Sequence, residues 1–181
     1  MKKVFLDFGA NRGQGLRNLK DSESFSLIVS YEPNPVLYNS LLQGFNDSNV
    51  VFVNAAVWKH TGTVNFSVQK NDEASSVECL FNGWGPHDNI IETPCVDILD
   101  IIEQYSDYEI TIKMDIEGSE FTVIRRLLEN IYACKKIKKM YVEWHTRQPD
   151  CTVAGETRES ELDLKAKLLE ANPLLELIDW A

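Results

Sequence analysis

The chain has 181 residues, 44% of them hydrophobic, and a formal net charge of −10. That length is enough for one domain with a sizeable core, expected over residues 1–181. The acidic balance disfavours a nucleic-acid partner, since that affinity comes from Lys and Arg neutralising phosphates. No run of about 18 apolar residues offers a membrane span, and the apolar run after Met1-Lys2-Lys3 is too short for a secretory signal, so the expected setting is cytoplasmic.

The elements alternate in a βαβ pattern, which predicts an α/β fold with a mostly parallel central sheet and helices on both faces. Strand one runs from Lys3 to Phe8 and breaks into the glycine turn Gly9-Ala10-Asn11-Arg12-Gly13-Gln14-Gly15. A short helix over Gly13 to Lys20 follows, then a strand from Leu27 to Glu32. Asn34-Pro35 marks a helix start, with Asn as cap and Pro at the first helical position. Val36, Leu37, Leu41 and Leu42 supply its expected buried face. Val50 to Val57 reads as strand three. Thr63 to Val68 alternates, with Val64, Phe66 and Val68 on one face, as a half-buried antiparallel strand does. Residues 70–94 read as irregular. Within them Asn82-Gly83-Trp84-Gly85-Pro86-His87 is a candidate lid, and Ser75-Ser76 is expected to approach a bound cofactor.

Asp97 then caps a helix carrying Ile98, Leu99, Ile101 and Ile102. Glu109 to Met114 is strand four. Phe121, Ile124, Leu128 and Ile131 recur at helical spacing, with Ser119 expected as the cap. Lys138 to Trp144 is strand five, and Lys135, Lys136, Lys138 and Lys139 before it read as a solvated helix end. Glu159 to Ala171 forms a last helix with Glu161–Lys165 and Asp163–Lys167 as i,i+4 pairs, and Leu174 to Trp180 a last strand. The cysteines Cys79, Cys95, Cys134 and Cys151 lack metal-ligand spacing and read as free thiols.

Each central strand ends in a polar residue: Asp7, Glu32, Asn54, Asp115, and Glu143 with His145. In a parallel sheet these ends share one rim, where open α/β sheets bind ligands. Carboxylates converging without matching cations call for a cationic ligand, a hydroxyl-rich ligand or a metal. Glu32 lies 23 residues after Gly9, where an acid grips ribose hydroxyls. Asp7, two residues before the glycine, suits an ammonium better than a pyrophosphate.

Asp7-Phe8-Gly9-Ala10-Asn11-Arg12-Gly13 resembles motif I of class I S-adenosylmethionine methyltransferases. Together with Tyr31-Glu32-Pro33-Asn34-Pro35, Asn54-Ala55-Ala56-Val57, Ile112-Lys113-Met114-Asp115-Ile116-Glu117-Gly118-Ser119-Glu120 and Val142-Glu143-Trp144-His145, it makes the chain resemble the FkbM-type methyltransferases from about Val4 to His145. The resemblance implies the Rossmann-like class I methyltransferase fold and S-adenosylmethionine as cofactor. By position, Asp7, Phe8, Gly9, Ala10, Asn11 and Gly13 would hold its methionine portion. Glu32 and Pro33 would hold the ribose, Asn54 and Ala55 would flank the adenine, and Asp115 would face the acceptor. The implied reaction is O-methylation of a hydroxyl on a sugar or small metabolite.

A general base aids a hydroxyl acceptor; Asp115, His145 and Glu143 are the candidates, in that order. No local ligand spacing supports a metal. Class I methyltransferases end in a two-strand hairpin, whereas only Leu174 to Trp180 remains here, which leaves an edge open to pairing between protomers. Two other readings compete. Gly9, Gly13 and Gly15, with Tyr132 and Lys136 four apart, also fit an NAD(P)-dependent short-chain dehydrogenase, although that pair precedes strand five. A non-catalytic cofactor-binding module is the other.

Overall fold

A computed structural model describes residues 1–69, 75–77, 81–82, 89–146, 152–153 and 155–180. The elements in chain order are β1 (Lys3–Phe8), α1 (Gln14–Leu19), β2 (Leu27–Tyr31), α2 (Pro35–Gly44), β3 (Val50–Val53), β4 (Ala56–Trp58) and β5 (Gly62–Ser67). Then come β6 (Ser76–Val77), β7 (Phe81–Asn82), β8 (Ile90–Asp97), α3 (Ile98–Gln104), β9 (Glu109–Met114), α4 (Glu120–Leu128) and α5 (Ile131–Lys136). The last are β10 (Ile137–Val142), β11 (Thr152–Val153), α6 (Arg158–Ala171) and β12 (Glu176–Asp179).

The main sheet has six strands in the order β12-β10-β9-β1-β2-β3, and every neighbouring pair in it is parallel. Parallel strands are covered on both faces, so they read as continuous apolar runs. Alternation along β1 sends Val4, Leu6 and Phe8 into the larger core, with apolar residues of α3, α4, α5 and α6. Phe5 enters a smaller core on the other face with Leu16 and Leu19 of α1. Each large side chain so buried contributes about 1.5–3 kcal/mol. Asp7 belongs to the α1 face by the same alternation, and it lies in register with Ser30 on one side and Lys113 on the other.

A second sheet, β4-β8-β5-β6, stands beside the first. It corrects two expectations. The run from Val50 to Val57 is not one strand: it breaks at Asn54-Ala55, and β4 leaves the main sheet to pair with β8. The break has a local cause, since the Asn54 amide donates to the carbonyls of Glu32 and Pro33 and holds the chain against the end of β2. Residues 90–94, expected to be irregular, begin β8, which pairs with both β4 and β5. Pro94, without an N–H to donate, masks a strand that the sheet nevertheless accepts. The candidate-lid residues 83–87 lie outside the described residues, as do Cys79 and Cys151.

Two helix details and one strand end also differ. Val36 and Leu42 of α2 are exposed, Val36 to 73%, while Leu37 and Leu41 face inward. The helix drawn through Ile131 ends at Leu128; Asn130 accepts hydrogen bonds from the N–H groups of Tyr132 and Ala133 and starts a separate α5. Strand five spans Ile137–Val142, so Glu143, Trp144 and His145 leave its carboxyl end as loop. Two caps stand as expected, with Asn34 accepting from Val36 N–H and Asp97 from Leu99 N–H. The pairs Glu161–Lys165 and Asp163–Lys167 both form, at 2.7 Å each. Cys95 and Cys134 are free thiols. No helix among the described residues is long and apolar enough to cross a membrane.

Candidate functional site at the carboxyl rim

The rim of the main sheet is shaped first by the glycine turn. Gly9 adopts φ +80°, and a Cβ there would lie 1.8 Å from the carbonyl oxygen of Asp115. Only glycine lets β1 and the end of β9 meet this closely. Gly13, at φ +81°, opens α1 in the same left-handed region, and a Cβ there would strike the Phe45 ring at 2.7 Å. Gly13 therefore shapes the turn.

Two clefts open around this turn. The first is a narrow cleft with an enclosed volume of about 50 Å³. Its apolar walls include Leu37, Ala55, Val57, Phe66, Val77 and Ile116, and its polar groups include Glu32, Ser75, Asp115, Glu117 and Ser119. The second cleft is lined by Gln14, Arg17, Asn18, Lys113, Glu143 and Trp180. Gly9, Asn11, Asp115 and Glu117 line both.

Glu32 is buried at the end of β2. Its two carboxylate oxygens accept the N–H groups of Asn11, at 2.7 Å, and Asn34, at 2.8 Å. Asn11 takes φ +48°, so this bond accompanies the strained part of the turn. Burial pushes the Glu32 carboxyl up to about 7, against the downward pull of those two hydrogen bonds. A carboxylate has about four acceptor positions, so Glu32 keeps capacity for a ligand's hydroxyls. Pro33 and Ala55 line the same cleft. Asn54 does not, because its amide is engaged with the backbone as described above.

Asp7 and Phe8 are corrected by the same geometry. Phe8 is fully buried and packs edge-on against Tyr31. Asp7 is also fully buried and lines neither cleft. Its Oδ2 accepts from the Ser30 hydroxyl at 2.6 Å, and its Oδ1 lies 3.6 Å from the Lys113 ammonium. The expected ammonium partner of Asp7 is thus a side chain of the protein itself. Ala10 lines the second cleft.

Lys113 is the residue that sequence reasoning overlooked. It is 2% exposed, donates to the Gly9 carbonyl at 2.8 Å and sits 3.2 Å from Asp115 Oδ2. Burial works against its charge, but Asp7 and Asp115 outweigh it and hold its pKa above the ordinary lysine value. The signal was available. A lysine inside the apolar strand Glu109–Met114, on the face of Asp7 by alternation, needs a buried carboxylate as partner. The rim is therefore not an uncompensated set of acids.

The second cation is His145. Its Nδ1 donates to Glu120 at 3.1 Å and its Nε2 to Glu117 at 3.1 Å, with Asp115 Oδ1 4.0 Å from Nε2. Burial pulls the imidazole pKa down, but the charges and hydrogen bonds of Glu120 and Glu117 overcome this and push it up to about 12. In this arrangement His145 is held as an imidazolium with both ring nitrogens facing carboxylates, a state that donates a proton and does not accept one. Asp115, Glu143 and His145 present ligand atoms within 4.8 Å of one another, and a metal bound there would have to displace the imidazole proton.

Ser119 makes no capping hydrogen bond, and Glu120, fully buried, instead ties the preceding loop: its carboxylate accepts the N–H groups of Ile116, at 2.7 Å, and Gly118, at 2.9 Å. It thereby fixes the loop in which Glu117 adopts φ +53° and Gly118 φ +93°. Glu143 is half-buried beyond β10. Burial and the neighbouring charge of Asp115 push its carboxyl up to about 7, with His145 pulling the other way.

The dehydrogenase pair has no place here. Tyr132 is 81% exposed on α5, which leads into the amino end of β10, at the opposite side of the sheet from the rim.

No curated protein matches the chain. Among solved structures, the crystal structure of methyltransferase FkbM from Methylobacillus flagellatus KT is similar, at 22% identity and a TM-score of 0.55. The match covers 95% of this chain and 38% of that one, so this chain spans well under half the length of that protein. At that identity the likeness bears on the fold, and it agrees with the α/β arrangement of parallel strands and helices described above. The family described as the methyltransferase FkbM domain matches residues 7–165, from the acid of β1 through the glycine turn and the first cleft into α6, and the chain belongs to that family.

Proposed function

We propose that the protein transfers a methyl group from S-adenosylmethionine to a hydroxyl oxygen on a sugar or other small-molecule acceptor. The observation that carries this reading is the meeting of two clefts at Gly9, Asn11, Asp115 and Glu117. One cleft has the apolar walls and the ribose-type acid that suit an adenosyl group, and the other is polar and suits a hydroxylated acceptor. Bound in the first cleft, S-adenosylmethionine supplies a methyl carbon activated by positive sulfur.

The residues divide the remaining work. Glu32 accepts hydrogen bonds from the ribose hydroxyls while its backbone donors hold it in place. Pro33, Ala55 and Val57 wall the base. Asp115 and Glu117 face the junction, where negative charge favours a cationic group. Glu143, with its carboxyl near 7, takes the acceptor's hydroxyl proton, as a base poised near the working pH does. Gln14, Asn18 and Trp180 orient the acceptor, and such positioning is worth on the order of 7–11 kcal/mol in well-aligned systems.

Titration calorimetry with S-adenosylmethionine, S-adenosylhomocysteine and NAD tests the reading. Both adenosyl compounds should bind and NAD should not; binding of NAD alone would overturn the assignment. Glu32→Ala should weaken adenosyl binding at least tenfold, and equal binding by that variant would remove Glu32 from the site.

A further inference from the structure

Ser119 carries an unanswered question. It stands at the N-cap position of α4, but its side chain makes no capping hydrogen bond. The residue is fully buried, its hydroxyl has no hydrogen-bond partner among the described residues, and it lines the first cleft. A buried hydroxyl left unpaired costs about 1–3 kcal/mol, and native proteins keep few of them without a role. The cap itself gains nothing from it, because Glu120 already holds the loop N–H groups.

Several other polar side chains around this cleft have identifiable tasks. Glu32, Asp115 and Glu117 are acids suited to hydroxyl donors and cationic groups. The Ser75 hydroxyl accepts the Gln69 N–H at 3.0 Å. Asn54, which the sequence placed beside the base, is tied to backbone carbonyls and does not line the cleft. Ser119 is thus a buried, unpartnered hydroxyl on a slot walled largely by Leu37, Ala55, Val57, Phe66 and Ile116, free to meet a ligand. We infer that the Ser119 hydroxyl reads the polar edge of the adenine base by accepting a hydrogen bond from its exocyclic amine. This assignment rests on the adenosyl reading of the cleft given above.

The test is a cycle of two proteins and two ligands, read by calorimetry and by thermal unfolding. The parent and Ser119→Ala are each titrated with S-adenosylhomocysteine and with its analogue lacking the exocyclic amine. Ser119→Ala should bind S-adenosylhomocysteine about 3- to 10-fold more weakly, the range of one neutral hydrogen bond, and should bind the deamino analogue as the parent does. Without ligand its melting temperature should be unchanged or raised, because the hydroxyl it loses was unpaired. Equal losses for both ligands, no loss for either, or a lowered melting temperature without ligand would each overturn the assignment. If the parent itself fails to bind S-adenosylhomocysteine, the adenosyl reading fails and the Ser119 assignment fails with it. A parent that binds, alongside a variant that binds equally well, removes Ser119 alone.

Discussion

On the β2 side of the rim, Glu32 is held by two neutral backbone N–H groups and faces apolar walls. On the β9–β10 side, Asp115, Glu117, Glu120 and Glu143 face two cations, Lys113 and His145. Backbone donors are fixed and carry no proton chemistry, so the first arrangement suits the grip on a constant group. A charge network has groups whose proton affinities depend on one another, and it suits a place where a proton has to leave. The same strand-end chemistry, a carboxylate at the carboxyl end of a parallel strand, thus serves holding in one half and reaction in the other.

The sharpest way to break this contrast is to remove a cation from the charged half. Lys113→Met leaves Asp7 buried with only the Ser30 hydroxyl as a neutral partner, and frees the Gly9 carbonyl. Removing one member of a buried ion pair costs about 3–5 kcal/mol. Denaturant unfolding should show a loss in that range, with the midpoint lowered and the slope kept. A loss under about 1 kcal/mol would mean that Asp7 tolerates burial without its partner, and the two halves would no longer differ in kind.

Glu143 tests the reactive role directly. Because its carboxyl is raised to about 7, the parent's turnover should rise as pH increases through that value and the carboxylate forms. Glu143→Gln should lower turnover on the order of 100-fold, the low end for a general base, and flatten that limb. Stability should move the other way. A carboxyl whose folded pKa exceeds its ordinary 4.5 holds its proton longer folded than unfolded, so it costs stability as pH rises from about 4.5 to 7. Above that window Glu143→Gln should be slightly more stable than the parent. An unchanged pH profile would pass the base to Asp115.

The strands of the main sheet were legible because a doubly covered parallel strand is an apolar run of fixed length, and β1 and β9 lie where the sequence placed them. The break at Asn54 was not, because it depends on carbonyls of the Glu32-Pro33 segment more than twenty residues away. Strand β8 was hidden by Pro94. In the site, Glu32 and the Gly9 turn followed from spacing alone. Asp7 misled because an acid at a strand end was read as facing out, while alternation and register put it under the α1 face beside Lys113. The surroundings of His145 were not legible, because Glu117 and Glu120 come within hydrogen-bond reach only in the folded loop.

The finest division lies inside the charged half, between the two acids that hold His145. Glu120 is fully buried and binds two backbone N–H groups besides the imidazolium, whereas Glu117 is partly exposed and its carboxyl is raised by burial that His145 only partly offsets. Among the charges that raise His145, Glu120 comes first. Glu117→Gln should therefore lower the His145 pKa but leave it above neutral, and followed by NMR the ring should stay protonated through pH 7. Stability should change by less than about 1 kcal/mol, since a partly exposed pair is worth little and the substitution also ends the burial of the Glu117 charge. Linkage gives the sign for His145: its raised pKa adds stability that is fully present below about 6.5 and fades as pH climbs toward the folded value, so in Glu117→Gln that fading should still begin near 6.5 but be complete at lower pH and total less. If His145 instead titrates at an ordinary histidine value, Glu117 rather than Glu120 is its main partner, and the loop is held by the acid nearer the ligand.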